Sequence, residues 1–568
     1  MKYRLIGENN YLNPIETALE NREIDNVDRF LNPSEEDIIH YSNLINIGKA
    51  VDKLIHHIEK GGRIFIQVDS DPDGYTSATL LIDYLKRVFR DKLNLIWRLH
   101  EGKEHGLILD TIPNEVSLVI TPDSGSNDYD HHKYLKQKGI DVIILDHHDC
   151  EEESKDAIVV NSQISPNYHN KQLSGVGIVY KFLQALDDKL NLSHADDYLD
   201  LVAIGNIADS QDMRSLETRY YVNKGLSNIK NKLLKALYDK QAYSTKGKIN
   251  IKSTEFYINP LINACIRVGS MEEKTQMMNA FLESDEKIYY KRNDVYEDIE
   301  VNTARMLTNI KSRQGRIRDK GVDLIEQKIK EKNLLDNKLL IVNVTDVLDK
   351  NLTGLVANSL KDKYKRGTLL VRHNEKEKAM TGSIRGYDKG ELKDLKGFLQ
   401  DTGKFDFVEG HANAAGLKIQ PKNLIAANEI INEKLKDMKN DDAHDVDFIF
   451  TPKQLTKKFI KEIHKYEDIW GFKVEEPLIT VKDIEVNTDE IYLNGKTSKT
   501  LKFENKRIQF IKYYSNKDEW NALKDKGERL IIDVVGRCSV NEYKGKTTHQ
   551  IVIEDYEVTM VKEKELIF

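Results

Sequence analysis

Asp69, Asp71 and Asp73 stand at alternate positions in IFIQVDSDPDGYTS, directly after a run of apolar and β-branched residues and directly before a helical pattern. Carboxylates gathered at such a place supply hard oxygen ligands for divalent cations. The spacing D-x-D-x-D-G is also that of a calcium loop, but the twelfth position is Leu80, where a bidentate Glu is needed, and a strand precedes the loop instead of a helix. A plainer account, a turn whose aspartates cap the next helix, fits this segment taken alone. Three further segments tip the balance. Asp123 follows an apolar run in LVITPDSGSND, Asp146, His147 and His148 follow DVIIL, and Asp209 closes the apolar helical run in LVAIGNIADS. Element ends that carry Asp and His, and no Cys, form the donor set suited to Mn²⁺ or Mg²⁺.

The elements that must position these groups are legible from periodicity. From Gly62 the runs RIFIQV, LNLIWRL, SLVIT, DVIIL and AIVV alternate with amphipathic stretches such as TSATLLIDYLKRVF and GVGIVYKFLQAL. Strands alternating with helices imply a doubly wound parallel sheet covered on both faces, whose sites lie at the carboxyl edge. The expected fold class is α/β. Residues 1–60 read as a helical preface, 61–215 as the parallel-sheet domain and 216–335 as a helical region ending in a long, charged connecting helix. That helix spans about Met277 to Lys332, with Gly315 or Gly321 as the expected break. A smaller α/β unit follows over 336–440, built on KLLIVNV, TLLVRH and AAGLKI. After the polar stretch KDMKNDDAHD, residues 445–568 read as a small antiparallel β-barrel of OB type.

Composition sets the outer bounds. A chain of 568 residues exceeds the ~250 to 300 at which a single core stops growing, so several packed units are expected. With 32% charged and 39% apolar residues, disorder is excluded as the default. Cys150, Cys265 and Cys538 are scattered and form no CxxC pair, which excludes a disulfide framework and a thiolate zinc site and points to the reducing cytosol. No run approaches the ~18 to 20 apolar residues that cross a bilayer, and the opening residues lack a secretory core, so a soluble protein with no membrane partner is expected. The net charge is 86 − 93 = −7, yet residues 491–550 hold 13 Lys or Arg against 7 Asp or Glu, a local balance of +6. Tyr492, Phe503, Phe510, Tyr513, Tyr514, Trp520 and Tyr543 interleave with those cations, as stacking platforms on a single-strand-binding barrel would; core packing is the alternative for each ring. The basic run Lys311, Arg313, Arg316, Arg318 and Lys320 reads as a solvated helix face.

In this order the segments VDSDPDG, TPDSG, LDHHD and GNIAD resemble the four motifs of the DHH phosphoesterase superfamily. GSIRG and EGHANAAG resemble its associated C-terminal domain, and INPLINACIR resembles an element of the RecJ-type branch, the single-strand-specific 5′ to 3′ DNA exonucleases. The likeness extends over most of the chain, including the terminal barrel. On that resemblance 61–215 is the DHH catalytic domain and 336–440 the DHH-associated, substrate-binding domain.

What the resemblance implies is specific. Two Mn²⁺ or Mg²⁺ ions would be held by Asp71, Asp73, Asp123, His147 and Asp209, with Asp123 bridging, Asp69 and His148 as near neighbours, and His148 touching the scissile phosphate. Asp146 would orient an imidazole rather than bind metal. The chain departs from the pattern at Gln67, where relatives carry His, and Asp69 is the expected substitute. Arg98, His100, Asn263, Arg267, Ser383, Arg385 and His411 are the implied substrate contacts, although His100 stands where Arg is typical, and Ile266 and Glu409 where Gly is. Single-stranded DNA is the implied substrate, released as 5′-mononucleotides during DNA repair or recombination. Expected partners are a single-strand-binding protein or a helicase. The expected state is a monomer in the cytoplasm of a bacterial cell or a phage-infected host. The rival readings are a DHH phosphodiesterase of short oligonucleotides or cyclic dinucleotides, and a non-catalytic replication scaffold of the same fold.

Overall fold

The computed structural model describes all residues except 103, 151, 440–442, 496–498 and 563–568. They form two compact units: Met1–Asn32, Lys389–Glu391 and Lys439–Phe568 make one, Pro33–Asp388 and Leu392–Met438 the other. The division at Asn32 falls inside the segment that the sequence reads as a single helical preface.

The larger unit is organised by a five-stranded, all-parallel sheet of β1 (Arg63–Val68), β2 (Leu95–Leu99), β3 (Val116–Pro122), β4 (Asp141–Asp146) and β5 (Ile158–Asn161). Its order is β2-β1-β3-β4-β5. Nearly every side chain of β1, β3 and β4 is buried, because helices cover both faces, and this is why those strands are written as unbroken apolar runs. From β1 the chain goes to β2 on one side, while β3 lies on the other. Helices leaving β1 and β3 therefore diverge, and a crevice opens at the carboxyl ends of these two strands. Asp69, Asp71 and Asp73 follow β1 and Asp123 follows β3, so both sets border it.

Three helices frame the crevice: α1 (Pro72–Phe89), α2 (Gly175–Leu190) and α3 (Leu199–Ala208). Further along, α4 (Asn259–Val268) packs on α5 (Ile299–Glu331), a single helix of 33 residues. The connecting helix does not begin near Met277. A separate helix, Met271–Phe281, and an antiparallel hairpin pairing Lys287–Tyr290 with Val295–Asp298 come first. Nor does it break at its glycines: Gly315 faces open space, and Gly321 lets Leu348 approach where a Cβ would lie 2.9 Å from its Cδ1. A second, mixed sheet follows, with β6 (Leu340–Asn343), β7 (Thr368–Asn374), β8 (Ala379–Arg385), β9 (Phe405–His411) and β10 (Ala414–Ile419) in the order β9-β10-β8-β7-β6. Helix α6 (Thr353–Tyr364) packs on β7 and β8.

In the smaller unit a seven-stranded sheet runs β11 (Phe448–Phe450), β12 (Leu478–Asn487), β16 (Arg529–Tyr543), β17 (Lys546–Lys562), β15 (Ile508–Ser515), β14 (Lys499–Asn505) and β13 (Tyr492–Asn494). Most neighbours are antiparallel, but β11 with β12 and β15 with β17 are parallel. The sheet curls far enough for Asn505 on β14 to donate to the Glu485 carbonyl on β12 at 3.0 Å. The N-terminal residues belong here: Tyr3–Leu5 pairs in parallel with His444–Val446. Arg22 grips the buried Asp447 through Nη1 and Nη2 at 2.6 and 3.2 Å. No helix among the described residues is long and apolar enough to cross a membrane.

Candidate metal centre

The crevice gathers all four acidic segments. Asp69, Asp71 and Asp123 bring ligand atoms within 4.8 Å of one another, and so do Asp73, His147 and Asp209. Asp123 belongs to both neighbourhoods, since its Oδ1 also lies 3.2 Å from His147 Nε2. His147 Nε2 is 3.5 Å from Asp209 Oδ2 and 3.9 Å from Asp73 Oδ2. Both carboxylate oxygens of Asp123 and the Nε2 of His147 are buried without a hydrogen-bond partner. Buried polar atoms are nearly always satisfied, and a converging set of orphaned hard donors is what a bound divalent cation would satisfy. The residues present thus fit Mn²⁺ or Mg²⁺.

Local structure explains how each group is aimed. Asp71 is the N-cap of α1, accepting from the Gly74 amide at 2.8 Å, so the helix-capping account and the ligand account both hold for it. Asp73 caps a different helix. Its carboxylate accepts from the amides of Gly175 and Val176 at 2.7 and 3.1 Å and from Ser174 Oγ at 3.0 Å, which pins it to the N-terminus of α2. Asp123 has a left-handed backbone, φ 69°, held by its amide donating to Leu145 O at 2.8 Å. Such a conformation is costly for a non-glycine residue and persists where its surroundings over-determine it. The segment GNIAD is constrained at three of its positions. A Cβ at Gly205 would meet Asp73 Oδ1 at 2.3 Å, Asn206 Oδ1 accepts from the Ser174 amide at 3.1 Å, and Asp209 ends α3 beside Gln211, which donates to it.

Without metal the electrostatics are those of crowded anions. Burial and then neighbouring carboxylates raise Asp71 to about 7, and burial with Asp209 raises Asp73 to about 7. Asp123 is pushed well above the usual carboxylate range by burial and by Asp73, Asp71, Asp69 and Asp209. Burial lowers His147, which leaves its imidazole neutral and able to coordinate. His148 behaves oppositely: burial works against its charge, but Asp146, bonded to its Nδ1 at 2.8 Å, raises it to about 10. Asp146 also accepts from the amides of Ser126, His147 and His148 at 3.1, 2.7 and 3.2 Å, so it orients the whole His147–His148 turn.

The other expected residues are not among these ligands. Gln67 does not face the centre; it is fully buried and fastens the next loop through Ile108 and Thr111. His100 is buried against Asp69, with Nδ1 at 3.1 Å from Oδ1, and His105 reaches the other oxygen of Asp69 at 2.6 Å. Arg98, on β2, pairs with Glu104 and Glu101 of the loop that follows at 3.1 and 3.5 Å. Asn263 and Arg267 lie one turn apart on α4, and Ser383 and Arg385 end β8. His411 is exposed at the end of β9, outside the metal cluster. Residues that spacing alone did not single out are Ser174, Gly175, His105 and Gln211. The phrase SGVG at a helix start is the one local signal for the first two.

A parallel sheet of this order, with acids and the Asp-His-His turn at its switch point, is the arrangement of a DHH domain, and the family described as DHH family, N-terminal domain, matches residues 63–206. The RecJ OB domain matches residues 446–555. The chain belongs to the RecJ family of DHH proteins: it is 50% identical, over the full length of both, to the protein named "Putative SPbeta prophage-derived single-strand DNA-specific exonuclease YorK" of Bacillus subtilis strain 168. It is 26% identical to the single-stranded-DNA-specific exonuclease RecJ of the same organism, over 93% of this chain and 66% of that one. The fold matches that of RecJ in complex with Mn²⁺ from Thermus thermophilus, with a TM-score of 0.76 and 18% identity over 99% of this chain and 80% of the other.

Proposed function

We propose that this protein is a two-metal exonuclease that degrades single-stranded DNA from its 5′ end and releases 5′-mononucleotides in DNA repair or recombination. The observation that carries the proposal is Asp123, whose two carboxylate oxygens are buried without a hydrogen-bond partner, which groups with Asp69 and Asp71, and whose Oδ1 lies 3.2 Å from the Nε2 of His147, the imidazole grouped with Asp73 and Asp209. Asp71, Asp123 and Asp69 would hold one Mn²⁺ or Mg²⁺, and Asp73, Asp123, His147 and Asp209 the other. When bound, such a pair activates a water and neutralises charge on the phosphate oxygens. The chain's own groups do the rest. Asp73 is immobilised by the amide end of α2, so the ligand frame needs little reorganisation on loading. His148, kept cationic by Asp146, supplies a hydrogen bond to the scissile phosphate. Arg267, Ser383, Arg385 and His411 bind the strand's phosphates, with Asn263 beside them; Arg98 and His100 act indirectly, through the loop that holds Asp69.

The barrel supports a long single strand as substrate over a dinucleotide. Of its seven candidate rings, Tyr492, Tyr513, Tyr514 and Tyr543 are exposed, whereas Phe503 and Phe510 stack on each other in the core and Trp520 donates to Ile491 O. Exposed rings among lysines stack bases without regard to sequence. We further place the protein in the cytoplasm as a monomer, working with a single-strand-binding protein or a helicase that supplies the strand. The direct test compares 5′-labelled and 3′-labelled single strands in Mn²⁺, with and without EDTA. Metal-dependent loss of nucleotides from the 5′ end is expected; attack from the 3′ end, or turnover in EDTA, overturns the proposal.

A further inference from the structure

The acids of the crevice are not all aimed by the same means. Backbone amides hold Asp71 and Asp73, through Gly74 for the first and through Gly175 and Val176 for the second. Asp69 has no such support. Among the described residues its carboxylate takes hydrogen bonds from two imidazoles alone, His100 Nδ1 at 3.1 Å from Oδ1 and His105 Nδ1 at 2.6 Å from Oδ2. An ionised carboxylate can only accept, so both rings donate Nδ1–H.

The two rings differ in how they are placed. His100 is 2% exposed and continues the sheet register, its amide donating to Val68 O at 3.1 Å. His105 stands on the loop between β2 and β3 with its side chain 54% exposed, at the mouth of the crevice, its ring centroid 5.2 Å from that of His148. Exposure alone would let such a ring wander, but the loop directly after it is fastened residue by residue. Gly106 turns with φ 72°, and a Cβ there would lie 2.4 Å from Asp128 Oδ2. The Leu107 amide donates to that same oxygen at 2.7 Å. Ile108 is gripped on both sides by the fully buried Gln67 of β1, whose Oε1 accepts from its amide at 3.1 Å and whose Nε2 donates to its carbonyl at 3.0 Å. Three anchored residues in a row thus hold His105 over Asp69.

We infer that His105 is a positioning residue for one of the two metals: its Nδ1–H bond to Oδ2 fixes the rotation of the Asp69 carboxylate that keeps it grouped with Asp71 and Asp123, and Gln67 acts through it by holding the loop. This rests on the two-metal reading of the site and adds to it the group that prepares Asp69. Carboxylates that ligate metal are themselves hydrogen-bonded, and removal of such an outer partner costs about 10- to 100-fold in metal affinity.

The test is calorimetric titration of Mn²⁺ into the protein, beside turnover of a labelled single strand. His105→Ala should weaken Mn²⁺ binding about 10- to 100-fold with the melting temperature in EDTA unchanged. Turnover should fall at limiting Mn²⁺ and return at saturating Mn²⁺, with KM for the strand unaltered. His105→Asn, whose amide can donate from the place of Nδ1, should restore most of the affinity, whereas His105→Gln, whose amide reaches the place of Nε2, should not. In an Asp69→Asn background His105→Ala should add no further loss, because it acts through that carboxylate. Unaltered Mn²⁺ affinity in His105→Ala, a loss that adds in full to that of Asp69→Asn, or rescue by Gln instead of Asn overturns the inference. So does a raised KM for the strand that saturating Mn²⁺ leaves in place, which would make His105 a substrate contact. An unaltered protein that binds Mn²⁺ without hydrolysing single strands removes the exonuclease reading alone, since the binding series still decides the role of His105; no Mn²⁺ binding at all removes both.

Discussion

Gly175→Ala tests the metal centre without touching a ligand. A Cβ at this position would stand 2.3 Å from Asp123 Oδ1, 2.5 Å from its Cβ and 2.6 Å from its Cγ, whereas ordinary contact begins at 3.4 Å. The carboxylate must therefore retreat by 3.4 − 2.3 = 1.1 Å at the oxygen and 3.4 − 2.6 = 0.8 Å at Cγ. Neither side yields easily, because the Asp123 amide is bonded to Leu145 O at 2.8 Å and the Gly175 amide to Asp73 Oδ2 at 2.7 Å. Misplacement of a reacting group by about 1 Å costs on the order of 10²-fold in rate, about 2.7 kcal/mol of barrier. Overpacking itself costs about 1 to 3 kcal/mol of stability, too little to unfold a domain of this size. Release of labelled nucleotides in Mn²⁺ should accordingly fall about 100-fold, with calorimetric Mn²⁺ binding weakened in parallel. Gly315→Ala is the control: it faces open space within α5 and should add about 1 kcal/mol of stability with turnover unchanged. Undiminished turnover and metal binding in Gly175→Ala would refute the shared position assigned to Asp123.

Three further outcomes are expected. Asp123→Asn should abolish Mn²⁺-dependent hydrolysis yet raise the melting temperature in EDTA, because it removes a carboxylate that burial and four neighbours disfavour; a lower melting temperature with a retained Mn²⁺-induced shift would contradict this. Asp71 and Asp73 rise from 3.8 to about 7 in the metal-free protein, so the folded state holds their protons more tightly than the unfolded chain, and metal-free stability falls as pH climbs from about 4 through 7. Metal loading must displace those protons. Mn²⁺ affinity should hence weaken below pH 7, and calorimetry in buffers of different ionisation enthalpy should detect proton release; pH-independent affinity between 5 and 8 would count against the protonated cage. Tyr514 is 88% exposed, and Tyr514→Ala should weaken binding to a long single strand by about 1 to 3 kcal/mol with no change in melting temperature, as read by anisotropy.

The order of apolar runs and acidic ends settled much of this protein in advance. Alternating strands and helices dictate a parallel sheet, and a sheet of that kind presents Asp69, Asp123 and His147 at one edge whatever the details of packing. Ligand types followed from the absence of Cys among them. Other features depend on contacts between distant parts of the chain. Asp73 caps α2 across a separation of about a hundred residues, Gly175 is small because Asp123 lies against it, and His100 and His105 clasp Asp69 from another loop. The division at Asn32 arises because Arg22 has its carboxylate in Asp447.

Local patterns also misled in identifiable ways. Gly315 and Gly321 looked like breaks, but a glycine lowers helix stability by only about 1 kcal/mol, which the packing of a 33-residue helix overrides. The basic run from Lys311 to Lys320 looked like one solvated face, yet Lys311 is half-buried where Arg316 and Lys320 are exposed, because composition assigns one charge to each cation of the run and cannot say which turns inward. Sequence by itself determined the sheet, its acidic edge and the donor chemistry, because periodicity and residue type act over a few neighbours. Only tertiary structure decided how Asp123 is shared, which cation of the α5 run turns inward and where the chain divides, because those follow from which remote surfaces exclude water from one another.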